Sequence, residues 1–324
     1  MMKIFISLLF YWFFQVTGFG QVGVILDTDI DSDVDDVQAV AMVHALADQK
    51  KIKLLGIIVT SDDPYAPLCV SALNQHFGRP RLLVGFLKNQ KEIIHREGYR
   101  YTKQISEEFP RRLRSYEKAE DAVSLYRKLL SNSPDNSVVI VTIGHLTSLH
   151  NLLKSGRDKS SALSGVQLAE KKVSKWLCMG GLFPAGKEAN FFRPDPLSTV
   201  YSLANWKRPV VFAGWEIGKD VITGGQYLRD NISNKSPVYR AYQLYNNFAG
   251  RSSWDQVAVF LLLEESKQFF DTVKDGYCYV NNDGSNKWMT DKDSPNQEYL
   301  FFRPNADQKE LAKVLDDMVI AVSN

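Results

Sequence analysis

Cysteine is scarce in this chain of 324 residues: Cys69, Cys178 and Cys278 are all it has. The number is odd and the positions are far apart, which argues against a disulfide framework and places the thiols in the core as small apolar side chains. No low-complexity tract and no internal repeat occurs, so neither a solenoid nor a disordered array is expected. No charge sign dominates. The formal net charge is +2, and the basic residues are scattered apart from one short cluster, Arg111-Arg112-Leu113-Arg114. No aromatic is interleaved there beyond Tyr116, which argues against a nucleic-acid surface. A membrane-spanning run is also missing: the apolar stretch Ile4 to Phe14 has eleven residues, where about twenty are needed.

That stretch has the form of a secretory signal peptide instead. Lys3 supplies the positive start and Gly18-Phe19-Gly20 a small-x-small cleavage site before Gln21. No cysteine follows the apolar core, which argues against a lipoprotein. Residues 1–20 are therefore expected to be removed, leaving residues 21–324 as one exported domain, periplasmic or secreted, with no membrane attachment. At 44% apolar and 23% charged residues the chain can bury one large core.

Six carboxylates crowd into ten residues, Asp27-Thr28-Asp29-Ile30-Asp31-Ser32-Asp33-Val34-Asp35-Asp36. They follow the apolar run Val22 to Leu26 and precede a helical pattern at Val37, Val40, Ala41, Val43 and His44, so they form a strand-to-helix turn. In open α/β sheets ligands bind at such turns, at the carboxyl ends of strands. Like charges this close need protonation or a bound cation, and oxygen ligands favour a hard ion such as Ca²⁺ or Mg²⁺. A solvated acidic loop capping the next helix is the plainer alternative. An EF-hand fits poorly. Counted from Asp27, Ser32 stands where the loop needs Gly and Gln38 where it needs Glu.

Further strands and helices alternate along the chain. Ile52 to Val59 reads as a second buried strand, ending at Asp62 and Asp63, which serve either a pocket or the turn before Pro64. Residues 88–118 are the least periodic, in keeping with a lid or binding loop that carries His95, Tyr99 and Tyr101 on its surface. Ser137 to Ile143 is a third strand. Val173 to Cys178 leads into Met179-Gly180-Gly181, and Pro209 to Ala213 into Gly214-Trp215. Helices are expected at 237–247, 256–263 and 308–321, and strands at 276–280 and 299–302. The alternation is that of an α/β protein.

The motifs at these strand ends resemble those of the nucleoside hydrolases, in order, over residues 22 to 265. The acidic turn is similar to the signature D-T-D-P-G-x-D-D, lengthened by two residues, with Ile30 and Asp31 where the short form has Pro and Gly. Ile143-Gly144 stands at the strand end whose residue before Gly gives a backbone carbonyl to the metal. Met179-Gly180-Gly181, then Glu188-Ala189-Asn190 and Asp195-Pro196, are similar to M-G-G, E-F-N and D-P-E-A, with Ala189 in place of an aromatic. Trp254-Asp255 stands where the family has H-D. The resemblance implies a single α/β domain with an open, mostly parallel sheet flanked by helices, Rossmann-like, that hydrolyses the N-glycosidic bond of a nucleoside or related N-riboside. It also implies Ca²⁺ held by Asp29, Asp36, Asp255 and the Ile143 carbonyl, with Asp29 as general base. Asp35 and Asn190 would grip the 2′- and 3′-hydroxyls, Glu188 would contact the ribose, and Asp62 is a further candidate. Trp254 cannot donate a proton as His does, though it can stack on a base, so either another donor or a better leaving group is expected. A homodimer or homotetramer is compatible with this reading. Two alternatives stand beside it: an exported calcium-dependent sugar-binding protein without turnover, and a haloacid-dehalogenase-type phosphatase, which also places an Asp-x-Asp after its first strand.

Overall fold

The computed structural model describes residues 21–31, 33–88, 101–291 and 296–323. The expected signal peptide and the residues His95 and Tyr99 lie outside these. The first half of the chain forms β1 (Val22–Thr28), α1 (Asp35–Asp48), β2 (Ile52–Val59), α2 (Ala66–His76), β3 (Leu83–Phe86), α3 (Thr102–Glu108), β4 (Glu120–Asp121), α4 (Ala122–Ser131), β5 (Val138–Thr142) and α5 (Thr147–Lys154). After α6 (Gly165–Lys172) come β6 (Val173–Met179), β7 (Ala185–Lys187), α7 (Ala189–Phe192), α8 (Pro196–Asn205), β8 (Val210–Ala213), α9 (Trp215–Gly218) and β9 (Ile222–Thr223). The chain closes with α10 (Gln226–Asn231), α11 (Pro237–Asn246), β10 (Arg251–Ser252), α12 (Trp254–Phe260), β11 (Phe270–Val273), β12 (Gly276–Val280), β13 (Ser285–Thr290), β14 (Gln297–Phe302) and α13 (Gln308–Ser323).

Nine strands make one sheet in the order β11-β14-β8-β6-β5-β1-β2-β3-β4. Every pairing in it is parallel except β11 with β14 at the edge. Successive side chains of a strand face opposite sides, and the apolar residues divide accordingly. Val24 and Leu26 of β1, with Ile57 and Val59 of β2, belong to the core under α1, α12 and α13. Ile25 and Ile58 belong to the core under α4, α5 and α6. Because both faces are covered, β1 reads as a continuous apolar run rather than an alternating one. Helix α1 is apolar nearly all round for the same reason: it lies against the sheet and is also packed by α12, α13 and α11.

The three cysteines are free and buried. Tyr101 departs from its expected place on the surface of a lid: its ring is fully buried and its hydroxyl donates to the Asp33 carbonyl, so it braces the acidic turn from beneath. Between the two strands read in the carboxyl-terminal region lies another, β13, which joins β12 and β7 in a separate antiparallel sheet. Its sequence, Ser-Asn-Lys-Trp-Met-Thr, carries too few apolar residues to signal a strand. No helix among the described residues is long and apolar enough to cross a membrane.

Candidate active site

The six carboxylates of the acidic turn do not act together, because the fold assigns each a different environment. Asp27 still belongs to β1 and points into the interior, where it accepts hydrogen bonds from the Tyr126 hydroxyl at 2.7 Å and from Thr60. Burial raises its carboxyl to about 7. Asp31 accepts from Ser61 at 2.8 Å. Asp33 is engaged by Arg251, whose Nε donates to it at 2.7 Å while Nη2 donates to the other oxygen. Asp29, Asp35 and Asp36 remain at the carboxyl end of β1, and all three line a cleft of about 410 Å³. That volume suits a small ligand.

Asp255 joins them from the first turn of α12. Oxygens of Asp35, Asp36 and Asp255 lie within 4.8 Å of one another, and all three side chains are buried. Their carboxyls are all held well above the usual range. Burial is the main cause for each, followed by the nearest negative neighbour: Asp33 for Asp35, Asp29 for Asp36, and Asp35 for Asp255. The amino termini of α1 and α12 meet here, and neither carries a side-chain cap. The backbone N–H groups of Asp35 and Asp255 donate to the Asp35 carboxylate instead, and with the helix dipoles they offset part of the repulsion.

A buried polar network fixes how those two helices meet. Gln38 of α1 donates to Asp316 of α13 at 2.9 Å. Its carbonyl oxygen accepts from the Tyr242 hydroxyl and, at 3.3 Å, from Gln256 of α12, which also donates to Thr223 at 3.2 Å. Gln38 and Gln256 follow the acidic residues on their helices so closely that this network sets the spacing of the carboxylates. One mark of it is visible in the sequence: glutamine at positions that the helical pattern buries.

Asp29 sits over Gly144, whose backbone approaches so closely that a Cβ there would lie 2.6 Å from the Asp29 carboxyl carbon. The Ile143 carbonyl accepts from the Asn190 side-chain amide at 3.3 Å, and that amide is also 3.0 Å from the Met179 sulfur. Glu188 is buried and caps α7. Its oxygens accept from the Asn190 N–H at 2.8 Å and the Gly181 N–H at 2.9 Å, and burial raises its carboxyl to about 7. It thus holds the loop that presents Asn190 while itself lining the cleft. Asp62 is not among the lining residues. Its neighbour Asp63 is structural, accepting from the Tyr65 N–H at 2.8 Å and the Thr102 hydroxyl at 2.5 Å.

The opposite wall is aromatic and cationic: Trp215, Trp254, Arg193 and Arg251 all line it. Trp254 is less available than the sequence suggests. Its indole N–H donates to the Trp215 carbonyl at 2.8 Å, and the Arg251 guanidinium lies over its ring, 4.9 Å from the centroid. Gly218 packs against its pyrrole side so tightly that a Cβ would come within 2.4 Å of Cδ1. Trp215 runs nearly parallel to it, at 26° and 6.5 Å, and is 39% exposed. Arg251, Arg193 and Trp215 belong to none of the motifs at the strand ends, although Trp215 directly follows Gly214 at the end of one strand and Arg251 directly follows Gly250.

The sequence profile of the inosine-uridine preferring nucleoside hydrolases matches residues 24–317. The chain belongs to that family. It is accordingly an N-glycosyl hydrolase, in a family that depends on metal, which removes the phosphatase alternative. Solved structures with the same fold include a purine-preferring ribonucleoside hydrolase from Gardnerella vaginalis, with a TM-score of 0.68 and 17% identity, covering 93% of this chain and 99% of that one. An inosine-uridine preferring nucleoside hydrolase from Bacillus anthracis aligns with a TM-score of 0.67 and 14% identity, over 93% and 99% of the two chains. The type III effector XopQ, solved in complex with adenosine diphosphate ribose, aligns at 0.70 and 13%, over 94% and 95%. No curated protein sequence matches the chain.

Proposed function

We propose that the chain is a calcium-dependent hydrolase of ribonucleosides or closely related N-ribosides, working in the cleft between Asp29 and Asp255. The observation that carries this is the trio Asp35, Asp36 and Asp255, three buried carboxylates within 4.8 Å of one another. Such a donor set fits a hard divalent cation: it offers only oxygens, their mutual repulsion falls when a cation enters, and the Ile143 carbonyl and Asp29 line the same cleft. Calcium suits it better than magnesium, which keeps more of its waters and uses fewer protein carboxylates. Asp29, Asp36, Asp255 and the Ile143 carbonyl would hold the ion. Once bound, it would orient a water and make that water more acidic.

The protein's own groups do the rest. Cleaving the C1′–N bond builds positive charge on the sugar, which the surrounding carboxylates stabilise. Asp29, at the mouth of the trio, accepts the proton of the attacking water, a role worth about 10²–10⁴-fold in general. Asp35 and Asn190 take the 2′- and 3′-hydroxyls, and Glu188, whose own hydrogen bonds set the loop, holds Asn190 in place and contacts the ribose. The base lies toward Trp215. Residues 1–20 direct the chain out of the cytoplasm, and mass measurement of the mature amino terminus at Gln21 would test that.

The test is release of ribose from a panel of nucleosides, measured with added calcium and again with chelator. Release that depends on calcium supports the reading. Failure to release ribose from any riboside, with tight binding retained, would leave a binding protein in its place. Equal rates with and without chelator would remove the metal.

A further inference from the structure

Breaking the C1′–N bond leaves its electron pair on the departing nitrogen, and something must accept that negative charge. The residue before Asp255 is Trp254, whose single N–H is already given to the Trp215 carbonyl. No histidine among the described residues lines the cleft, and the cations that do are Arg193 and Arg251. Arg251 is the better fixed of the two. Its Nε and Nη2 are donated to both oxygens of Asp33, and its plane rests over the Trp254 ring at 4.9 Å. A bidentate pair and a stacked face restrict the guanidinium to one orientation. Its Nη1 hydrogens have no partner among the described residues, and the side chain keeps 32% of its exposure.

We propose that Arg251 is the catalytic residue that receives the leaving base, and that the preferred substrates are ribosides whose base departs as a stabilised anion. This deepens the function proposed above and rests on it. A guanidinium stays protonated in a protein, so it cannot act as general acid; it can only stabilise charge as that charge develops. Water adds to C1′ and gives one proton to Asp29, the C1′–N bond breaks with its electrons going to nitrogen, and the base leaves as its anion beside Nη1. The anion then takes up a proton from solvent and Asp29 releases its own to solvent, so the products are ribose and the neutral base and Asp29 is again a carboxylate. Asp33 and Trp254 serve as positioning residues for Arg251.

The experiment compares kcat and KM of the wild type, Arg251→Gln and the double variant Asp33→Asn/Arg251→Gln on p-nitrophenyl riboside, inosine and adenosine, with calcium present. The wild type should be fastest on the nitrophenyl compound and slowest on adenosine, in order of leaving-group acidity. Removing one such stabilising group typically costs about 10²–10³ in kcat, so Arg251→Gln should lose that much on inosine and less than tenfold on the nitrophenyl riboside. Guanidinium ion added at millimolar concentration to Arg251→Gly should restore part of the inosine rate. The double variant should stay as slow as the single one, because Asp33 is no longer left unpaired and the loss persists. Equal losses on all three substrates, or recovery in the double variant, would overturn the proposal and make Arg251 only the partner of Asp33. Failure of the wild type to release ribose from any substrate would instead overturn the function on which it rests.

Discussion

Gln38→Met separates the polar network behind the site from the site itself. Methionine keeps the length of the side chain and removes both its donor and its acceptor. The Tyr242 hydroxyl then loses its acceptor. Asp316 keeps the Gly224 N–H at 3.1 Å, and Gln256 keeps Thr223 at 3.2 Å. The Tyr242 hydroxyl keeps only its hydrogen bond with Thr223, so losing its acceptor costs about 1–2 kcal/mol, and a lost hydrogen bond to a charged acceptor adds a comparable amount, so a total of roughly 2–4 kcal/mol is expected. At about 2–4 °C per kcal/mol for a large domain, Tm should fall by roughly 5–15 °C. The effect should also reach calcium, since Gln38 and Gln256 hold the helices that carry Asp36 and Asp255. Calcium should therefore raise Tm less in the variant than in the wild type. Tyr242→Phe, which leaves Gln38 its bond from Gln256, should cost about 1 kcal/mol. The double variant should cost less than the sum, as residues sharing a network do. Calorimetry of the four proteins with and without calcium measures all of this. A Gln38→Met protein melting within 2 °C of wild type, with the full calcium response, would refute the coupling.

Chelation of the wild type should lower Tm and abolish ribose release, and calcium should restore both, because a ligand that binds only the native state stabilises it. Asp29→Asn should reduce kcat by about 10²–10⁴-fold while riboside binding, followed by calorimetric titration, survives in weakened form; an unchanged kcat would move the base to Asp35. Trp215→Ala should weaken nucleoside binding by roughly tenfold to a hundredfold if a base stacks there, and equal affinity would place the base elsewhere. The Asp27 carboxyl is raised by burial from 3.8 to about 7. Folding therefore favours its protonated form. That contribution is complete below the unfolded value and is lost as pH rises through the folded one. Against Asp27→Asn, which cannot ionise, the wild type should thus lose up to about 4 kcal/mol between pH 4 and pH 8. Urea unfolding at both pH values would show it, and a difference that does not change with pH would count against the assignment.

Much of this was legible because strands and turns leave short-range marks. The run Val22 to Leu26, followed by acids and then by helical periodicity, could only be a strand entering a helix, and the same logic located β2, β5, β6 and β8. The acidic turn announced a site but not its division of labour. Nothing in six aspartates says that Asp27 faces inward to Tyr126, or that Asp33 is matched by Arg251, because those partners are 99 and 218 residues away in sequence. Trp254 was visible as a departure from the family pattern. That its N–H is spent on Trp215 was not, since the bond depends on the close packing of α9 against α12. Tyr101 was misplaced for a related reason: it stands beside a charged, aperiodic stretch, and only the path of the chain over the turn buries it.

The bond between Gln38 and Asp316 joins residues 278 apart. Folding slows as contacts become more distant in sequence, since the entropy of closing the loop is lost before the contact can form. The carboxylates on α1 are made early, yet α13, the helix that holds them in register, is made far later. A nascent or interrupted chain that has formed β1 and α1 still lacks the acceptor for Gln38 and the helix bearing Asp255. High-affinity metal binding should therefore appear only in the slowest phase of refolding, which makes the ion a reporter of the docking of α12 and α13 onto α1.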